Sequence, residues 1–240
     1  IPLTELNSIS DHVTDILKVL VGSHAHDLAT PESDRDYRGV FVVPTTDLLR
    51  LGEGAPKHTR WLEGATEDDT SWELAHFLHM ATKSNPSILE VFKSPIVYID
   101  LHGDKGWGQR LLDLFPHVWS SKAVLDSHLG YSHNQLKKMF DDSEQHISRR
   151  WKYAVAYIRV LIQGTTLLET GTFEVRTVGY WNSTLRAIKA GKMTRGMVID
   201  AAKEWQDRIE VAYKNNPDKK VDLEPVNDFL LDLRRAFWDK

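Results

Sequence analysis

One segment of the sequence limits most strongly the folds that this chain can adopt. It consists of two apolar stretches with a Gly-Ser pair and two closely spaced aspartates between them. Residues 16–21 lead into Gly22-Ser23, and a polar turn then leads to Asp34 and Asp36 at the head of the second apolar segment. Side chains alternate between the faces of a strand, so in extended backbone the two aspartates share a face and Arg35 points away. Neighbouring carboxylates repel each other unless a cation neutralises them. The segment therefore predicts a cation site beside a tight turn.

The Gly-Ser pair adds a phosphate ligand to this prediction. Gly22 lets the backbone approach another backbone or a phosphate closely, and Ser23 offers an N–H and a hydroxyl donor. Mg²⁺ prefers oxygen ligands and keeps coordination positions open for substrate phosphates. The sequence therefore predicts a combined metal and phosphate site.

The composition is typical of an intracellular globular protein. Of 240 residues, 41% are hydrophobic, and the net charge of −4 argues against non-specific nucleic-acid binding by the chain as a whole. The absence of cysteine excludes thiolate metal sites, cysteine nucleophiles and disulfides, and it suits a reducing cytosol. No apolar segment reaches the length of a membrane span, so we expect a cytoplasmic protein without a membrane partner. The sequence carries no signal for the oligomeric state.

Apolar periodicity predicts an α+β fold. Beyond the apolar segment that ends at Val21, strands are expected over residues 37–43, 58–62 and 96–99. Helices are expected over residues 11–16, 73–83, 87–92, 108–114, 122–140, 144–169, 180–190, 194–214 and 225–238. The pattern indicates a domain of mixed sheet and flanking helices over residues 1–116, followed by an all-α domain over residues 117–240.

The spacing around the aspartates is similar to the signature of the DNA polymerase beta-like nucleotidyltransferase superfamily. In that signature a Gly-Ser pair, ten intervening residues and Asp-x-Asp precede an apolar strand. Other segments resemble the RNA-repair-pathway subgroup of this superfamily. They are residues 28–34, 38–42, Asn85-Pro86, Leu89-Glu90 and Ser94-Pro95, with weaker matches at 130–131, 135–136, 159–161 and 167–171. The resemblance implies a polymerase beta palm-like sheet, with the all-α domain covering the nucleotide.

The resemblance also implies roles for the site residues. Gly22 and Ser23 would hold the triphosphate of an incoming NTP. Asp34 and Asp36 would bind two Mg²⁺ ions, with Mn²⁺ as an alternative, together with a third carboxylate from a neighbouring strand. Asp69 is the first choice for that carboxylate. The alternatives are Asp68, Glu67 and Glu73.

Histidine and basic side chains extend the predicted nucleotide site. His24 and His26 are predicted on one strand-like face, where they would contact phosphate or the paired carboxylates, unless they are ordinary loop histidines. Lys152 and Arg159 lie seven residues apart and so on one face of a helix, where they would hold the triphosphate or form a solvated surface. Asp27 stands where relatives usually carry glycine, and Asp tolerates left-handed backbone better than most residues.

The predicted reaction transfers a nucleoside monophosphate from an NTP to an acceptor hydroxyl and releases pyrophosphate. The hydroxyl attacks the α-phosphorus in line, while metal ions lower its pKa and neutralise the charge on the attacking and leaving oxygens. The resemblance favours an RNA 3′ end, in tRNA or a broken RNA, as the acceptor. The alternatives are nucleotidylation of a protein or small molecule, and a non-catalytic module that binds NTP or RNA.

Overall fold

A five-stranded sheet, followed by a group of long helices, forms the described part of the protein. The computed structural model describes residues 13–51, 59–63, 68–102 and 106–239. The strands are β1 (Thr14–Val21), β2 (Asp36–Val42), β3 (Thr59–Glu63), β4 (Asp68–Glu73) and β5 (Ile96–Ile99). They lie in the order β3-β4-β2-β1-β5, with β2 and β4 parallel and the other neighbours antiparallel. The predicted α+β class is confirmed.

The helices flank the sheet in the first half of the chain and dominate the second half. They are α1 (Gly22–Ala25), α2 (Thr45–Leu48), α3 (Leu74–Thr82), α4 (Pro86–Val91), α5 (Trp107–Asp113), α6 (Ser121–Phe140), α7 (Glu144–Ile147), α8 (Arg150–Thr170), α9 (Gly179–Lys189), α10 (Arg195–Asn215) and α11 (Leu223–Ala236). Within the described residues, none of them has the length and apolar character needed to cross a membrane.

Three elements differ from the sequence prediction. β4 was not predicted, because its sequence DDTSWE lacks the apolar alternation that indicates a strand. The helix expected over residues 11–16 is wrong from residue 14 onward, where β1 has already begun, and residues 11 and 12 lie outside the described residues. The single helix expected over residues 144–169 is two helices, α7 and α8.

The two faces of the sheet have different environments. Residues paired across neighbouring strands point to the same face. Val19 of β1 and Val40 of β2 lie on the face that packs on α3 and α4, where they join one core with Phe77 and Leu89. The opposite face is more polar and carries Lys18. The face on which a β4 side chain lies therefore decides its surroundings.

The C-terminal half is built around α8, which packs against α6, α9 and α10. The last helix does not join this group, since α11 packs against α5 near the sheet. Its end pairs with the segment after β2, where Thr45 N–H donates to Phe237 O at 2.7 Å and Thr46 N–H donates to Trp238 O at 2.9 Å. The domain boundary at residue 116 stays a prediction, and α11 contacts the half of the chain that precedes it.

A buried ion pair fixes α11 to the sheet. Glu73 is 1% exposed, and its carboxylate accepts from the Ala75 N–H at 2.8 Å and from Arg234 Nη2 at 2.5 Å. Because removing one partner leaves an unpaired buried charge, we expect Arg234→Met to lower the free energy of unfolding by about 3 kcal/mol in urea denaturation. Arg235→Met is the matched control, since its side chain is exposed and forms an ion pair with the exposed Asp232, and a change within about 0.5 kcal/mol is expected. Equal losses in the two variants would contradict this account.

Candidate active site

A cavity of about 370 Å³ lies where the Gly-Ser turn, the start of β2, α8 and the end of α9 meet. Seven of the predicted site residues line it: Gly22, Ser23, His26, Asp34, Asp36, Lys152 and Arg159. The other lining residues are Leu28, Thr30, Glu32, Ser33, Val155, Ala156 and Lys189. The predicted residues His24 and Asp69 are not among them. The cavity thus brings together residues that lie more than 120 positions apart in the sequence, and its lining is partly polar and partly apolar.

The turn that begins at Gly22 lies directly against Asp36. Val21 pairs with Asp36 across β1 and β2, and Gly22 then adopts a left-handed backbone with φ of +67°. A Cβ added at Gly22 would collide with Oδ2 of Asp36. Glycine is therefore required twice here, once for its backbone conformation and once for the space that the carboxylate occupies.

Asp36 is the centre of a carboxylate group. It is the first residue of β2, and Asp34 lies before the strand, so the shared strand face predicted for the pair does not exist although both side chains line the cavity. Asp68 pairs with Asp36 across the parallel strands β2 and β4, so their side chains lie on one face. Burial and then the charge of Asp68 raise the pKa of Asp36. Arg38 donates from Nη1 to Oδ1 of Asp68 at 3.1 Å.

The geometry does not support Asp69 as the third carboxylate. Asp69 pairs with Tyr37, not with Asp36, and consecutive residues of a strand point to opposite faces. On that other face Oδ2 of Asp69 lies 2.5 Å from Nζ of Lys18. Of the alternatives, Glu73 is held by Arg234, Glu67 lies outside the described residues, and Asp68 lies beside Asp36.

The two histidines of the turn diverge. Residues 22–25 form the helical turn α1, so His24 and His26 are about 200° apart and do not share the predicted strand-like face. Nε2 of His24 lies 3.0 Å from the carbonyl oxygen of Ser33, which fixes the loop before β2. His26 turns inward, is 4% exposed and lines the cavity.

A buried polar cluster forms the base of the cavity. Nδ1 of His26 lies 3.0 Å from Val175 O, and its Nε2 lies 3.2 Å from Oε1 of Glu90. Nη1 of Arg159 donates to the second carboxylate oxygen of Glu90 at 3.2 Å and to Gln163 Oε1 at 3.0 Å.

Protonation within this cluster is set by burial and by its charges. Burial, followed by the charge of Arg159, lowers the pKa of His26 to about 4. Burial would raise the pKa of Glu90, but His26 and Arg159 outweigh it and the net shift is downward. A neutral imidazole has one N–H and cannot donate to both Val175 O and Glu90. Arg159 is always charged and pairs with Glu90, so Glu90 is ionised whether the His26 N–H points to Val175 O or to Glu90.

The helix α9 holds the loop that leads to Asp34. Asn182 Nδ2 donates to Asp27 O at 3.2 Å, and Arg186 contacts both that carbonyl and the Asp27 carboxylate, at 3.3 Å from Oδ1. Asp27 has a φ of +60°, so the left-handed backbone suggested by its place in the sequence is present. The aspartate provides a side-chain contact to α9 that glycine lacks.

Lys189, at the end of α9, is a cavity residue that the sequence did not indicate. Its Nζ donates to Leu28 O at 2.7 Å and to Ser33 Oγ at 3.3 Å. Burial, then the neighbouring charges of Lys152 and Arg186, lower its pKa. With Lys152 and Arg159 it gives the cavity three basic side chains in addition to its carboxylates.

Comparison with known proteins identifies the family. The model of the RNA repair pathway DNA polymerase beta family matches residues 3–195. The chain belongs to this family. The resemblance seen in the sequence is confirmed.

The individual relatives are more distant. An uncharacterized 38.9 kDa protein from the nrdC-mobD intergenic region of Enterobacteria phage T4 is 29% identical over 143 residues, which are 51% of this chain and 38% of that protein. This chain therefore spans well under half of that relative's length.

Two solved structures of nucleotidyltransferase type are similar over most of the chain. The spectinomycin adenyltransferase AAD(9) from Enterococcus faecialis, solved with ATP and spectinomycin, is 14% identical with a TM-score of 0.35, over 94% of this chain and 92% of that one. A nucleotidyltransferase-like protein from Exiguobacterium sibiricum 255-15 is 10% identical with a TM-score of 0.27, over 92% and 74%. These scores are too low to support an argument about this chain.

The carboxylates have the donor chemistry of a magnesium site. Asp34 and Asp68 both raise the pKa of Asp36, which is the mutual repulsion that a cation removes. Among the residues that the structure describes, no group of three or more His, Asp or Glu side chains is close enough to hold a metal ion by itself. Mg²⁺ is commonly bound by one or two carboxylates plus substrate phosphates, so this set fits a metal that is shared with a nucleotide.

Gly22 provides a test of the packing between the turn and Asp36. We expect Gly22→Ala to reduce NTP turnover at least tenfold, because its Cβ displaces the Asp36 carboxylate in addition to straining the backbone. Gly171→Ala is the matched control, since Gly171 has a similar φ of +73° but nothing within 4 Å of an added Cβ. Each variant bears the backbone strain of about 1 kcal/mol, measured by denaturation. A comparable loss of turnover in Gly171→Ala would show that strain alone is responsible.

Proposed function

We propose that this protein is a Mg²⁺-dependent nucleotidyltransferase that moves a nucleoside monophosphate from an NTP to the 3′ hydroxyl of an RNA. One observation carries the proposal. The carboxylates Asp34 and Asp36 share a cavity with the Gly22-Ser23 turn, and basic side chains of α8 and α9 line the same cavity. Such an arrangement can hold a triphosphate between cations and a metal site.

Each wall of the cavity matches a part of an NTP. The N–H and hydroxyl of Ser23, with Lys152 and Lys189, are donors for the triphosphate oxygens. The side chains of Leu28 and Val155 add apolar surface on which a base or ribose can pack. The proposed orientation places the α-phosphorus near Asp34 and Asp36.

Asp34, Asp36 and Asp68 would hold the metal together with phosphate oxygens of the nucleotide. When bound, Mg²⁺ would neutralise charge on the phosphates and lower the pKa of the attacking hydroxyl. Arg38 keeps the Asp68 carboxylate beside Asp36 through its contact with Oδ1. The neighbouring charges then require a cation, which ties catalysis to metal binding.

The chain's residues align the two reactants. The acceptor oxygen forms a bond to the α-phosphorus, and the bond from that phosphorus to the bridging oxygen of the β-phosphate breaks. Pyrophosphate leaves with the electron pair of that bond, near Lys152 and Lys189. The proton of the hydroxyl passes to a carboxylate, for which Asp68 is the proposed acceptor, or to water.

RNA is the proposed acceptor because of the family to which the chain belongs. The description of the family refers to an RNA repair pathway, and this supports an RNA 3′ end as the acceptor. The net charge of −4 requires any RNA contact to be local. Arg149 continues the Lys152 face of α8 toward the helix start, is exposed, and has no ion-pair partner among the described residues. It is a candidate contact for an RNA phosphate.

The choice between the two aspartates of β4 is directly testable. We expect Asp68→Asn to reduce NTP turnover about 100-fold or more, since it removes a carboxylate from the metal site. Asp69→Asn removes the neighbouring carboxylate on the opposite face and should retain turnover within about threefold. Both rates are measured as pyrophosphate release, with circular dichroism to confirm folding. A larger loss in Asp69→Asn than in Asp68→Asn would overturn the assignment.

The acceptor is tested by following labelled nucleotide. The protein is incubated with each α-labelled NTP, Mg²⁺ and either total RNA or an RNA-free protein extract. We expect label on RNA, sensitive to periodate blocking of the 3′ end and absent with EDTA or with Asp34→Ala/Asp36→Ala. Label on a protein or small molecule would replace the RNA acceptor with that class. NTP binding without pyrophosphate release would indicate a non-catalytic module.

A further inference from the structure

The segment from Asn85 to Pro95 resembles the family but has no part in the chemistry above. In the structure it builds the short helix α4 and fixes both of its ends. The Asn85 side-chain oxygen accepts from the N–H groups of Ser87 at 3.0 Å and Ile88 at 3.4 Å, and Pro86 occupies the first turn. At the other end Ser94 Oγ donates to Glu90 O at 2.9 Å. These contacts define where the Glu90 side chain lies.

Glu90 carries a charge into the interior. It is 7% exposed, and a buried carboxylate is costly unless its oxygens are paired. Each oxygen has a different partner, since Oε1 lies 3.2 Å from Nε2 of His26 and Oε2 lies 3.2 Å from Nη1 of Arg159. Both partners line the cavity, whereas Glu90 itself does not.

Arg159 is held at one end of its guanidinium. Nη1 makes both of its contacts, to Glu90 and Gln163, and the other guanidinium nitrogens have no hydrogen-bond partner in the part of the chain that the structure describes. A guanidinium is planar, so fixing one nitrogen restricts the directions of the remaining N–H groups. These groups are the donors available to a ligand in the cavity.

We propose that Glu90 is a positioning residue that orients the guanidinium donors of Arg159 toward the phosphates of the nucleotide, with His26 as its second partner. The inference rests on the proposed function, since it assigns these donors to the triphosphate of an NTP. Glu90 belongs to α4, and its carboxylate connects His26, after α1, to Arg159 in the middle of α8. The contact therefore also helps to set the position of α8 relative to the sheet-containing half. A triphosphate that binds in the cavity then meets Arg159 donors that are already oriented.

Removing the Glu90 charge has two opposite consequences, and their balance distinguishes positioning from simple electrostatics. A carboxylate near an anion pocket repels the anion, so its loss would strengthen phosphate binding if charge alone mattered. Loss of the carboxylate also frees the Arg159 guanidinium, which weakens binding if orientation matters. The proposal predicts that the second effect is larger.

The test measures binding of inorganic tripolyphosphate with Mg²⁺ by titration calorimetry, which depends neither on base nor on turnover. We expect Glu90→Gln to weaken binding about tenfold, the effect of losing an oriented charge-assisted donor. Glu90→Asp retains the charge but is one methylene shorter, so it should also weaken binding. Glu169→Gln is the matched control, because Glu169 is an exposed carboxylate of α8 paired with Arg208, and unchanged binding is expected.

A double-mutant cycle shows whether Glu90 acts through Arg159. In an Arg159→Gln background, Glu90→Gln should change tripolyphosphate binding less than twofold. Binding by Glu90→Gln or Glu90→Asp as tight as that of the unmodified protein would overturn the proposal, as would an undiminished effect in the Arg159→Gln background. If one Glu90 variant does not fold, the other decides. Absence of NTP turnover by the unmodified protein would instead contradict the proposed function, whatever the binding results.

Discussion

The contact of the buried Glu90 carboxylate with His26 and Arg159 joins the two halves of the cavity. His26 belongs to the turn that also presents Gly22 and Ser23, whereas Arg159 belongs to the central helix of the C-terminal half. An ionised carboxylate away from water is stable only while both oxygens are paired. The position of α8 relative to the turn is therefore restricted by these polar contacts, in addition to the apolar packing around it. Both elements line the cavity.

Strand alternation separates the two acidic side chains at the start of β4. Asp68 and Asp69 are adjacent in the sequence, yet β4 sends one toward Asp36 and the other toward Lys18. Each is partnered by a cation on its own face, Arg38 for Asp68 and Lys18 for Asp69. Because each of these aspartates has its own cation, the repulsion between carboxylates is concentrated at Asp36. A metal ion bound there can relieve it.

Much of the fold follows from sequence patterns, and the errors have physical causes. The apolar strands and long helices were predicted because their periodicity is strong, and the Gly22 to Asp36 spacing located the cavity. β4 was missed because its buried residues include Thr70 and Ser71, whose burial comes from pairing with β2 and β3 and not from apolar character. That omission left the facing directions of Asp68 and Asp69 unassigned, since they cannot be assigned before the strand is recognised.

Contacts between distant segments were beyond any local pattern. Lys189 is 161 positions from the Leu28 carbonyl that it contacts, and no spacing rule links the two. Its side chain is placed where burial and the charges of Lys152 and Arg186 disfavour its own positive charge. The backbone carbonyl and the Ser33 hydroxyl offset part of this cost, and an anionic ligand would offset more. The charge of Lys189 is thus disfavoured by its surroundings in the same way as the charge of Asp36, with the opposite sign. The proposed nucleotide triphosphate with its metal ion would supply both missing charges at once, so it would suit this cavity better than an anion or a cation alone.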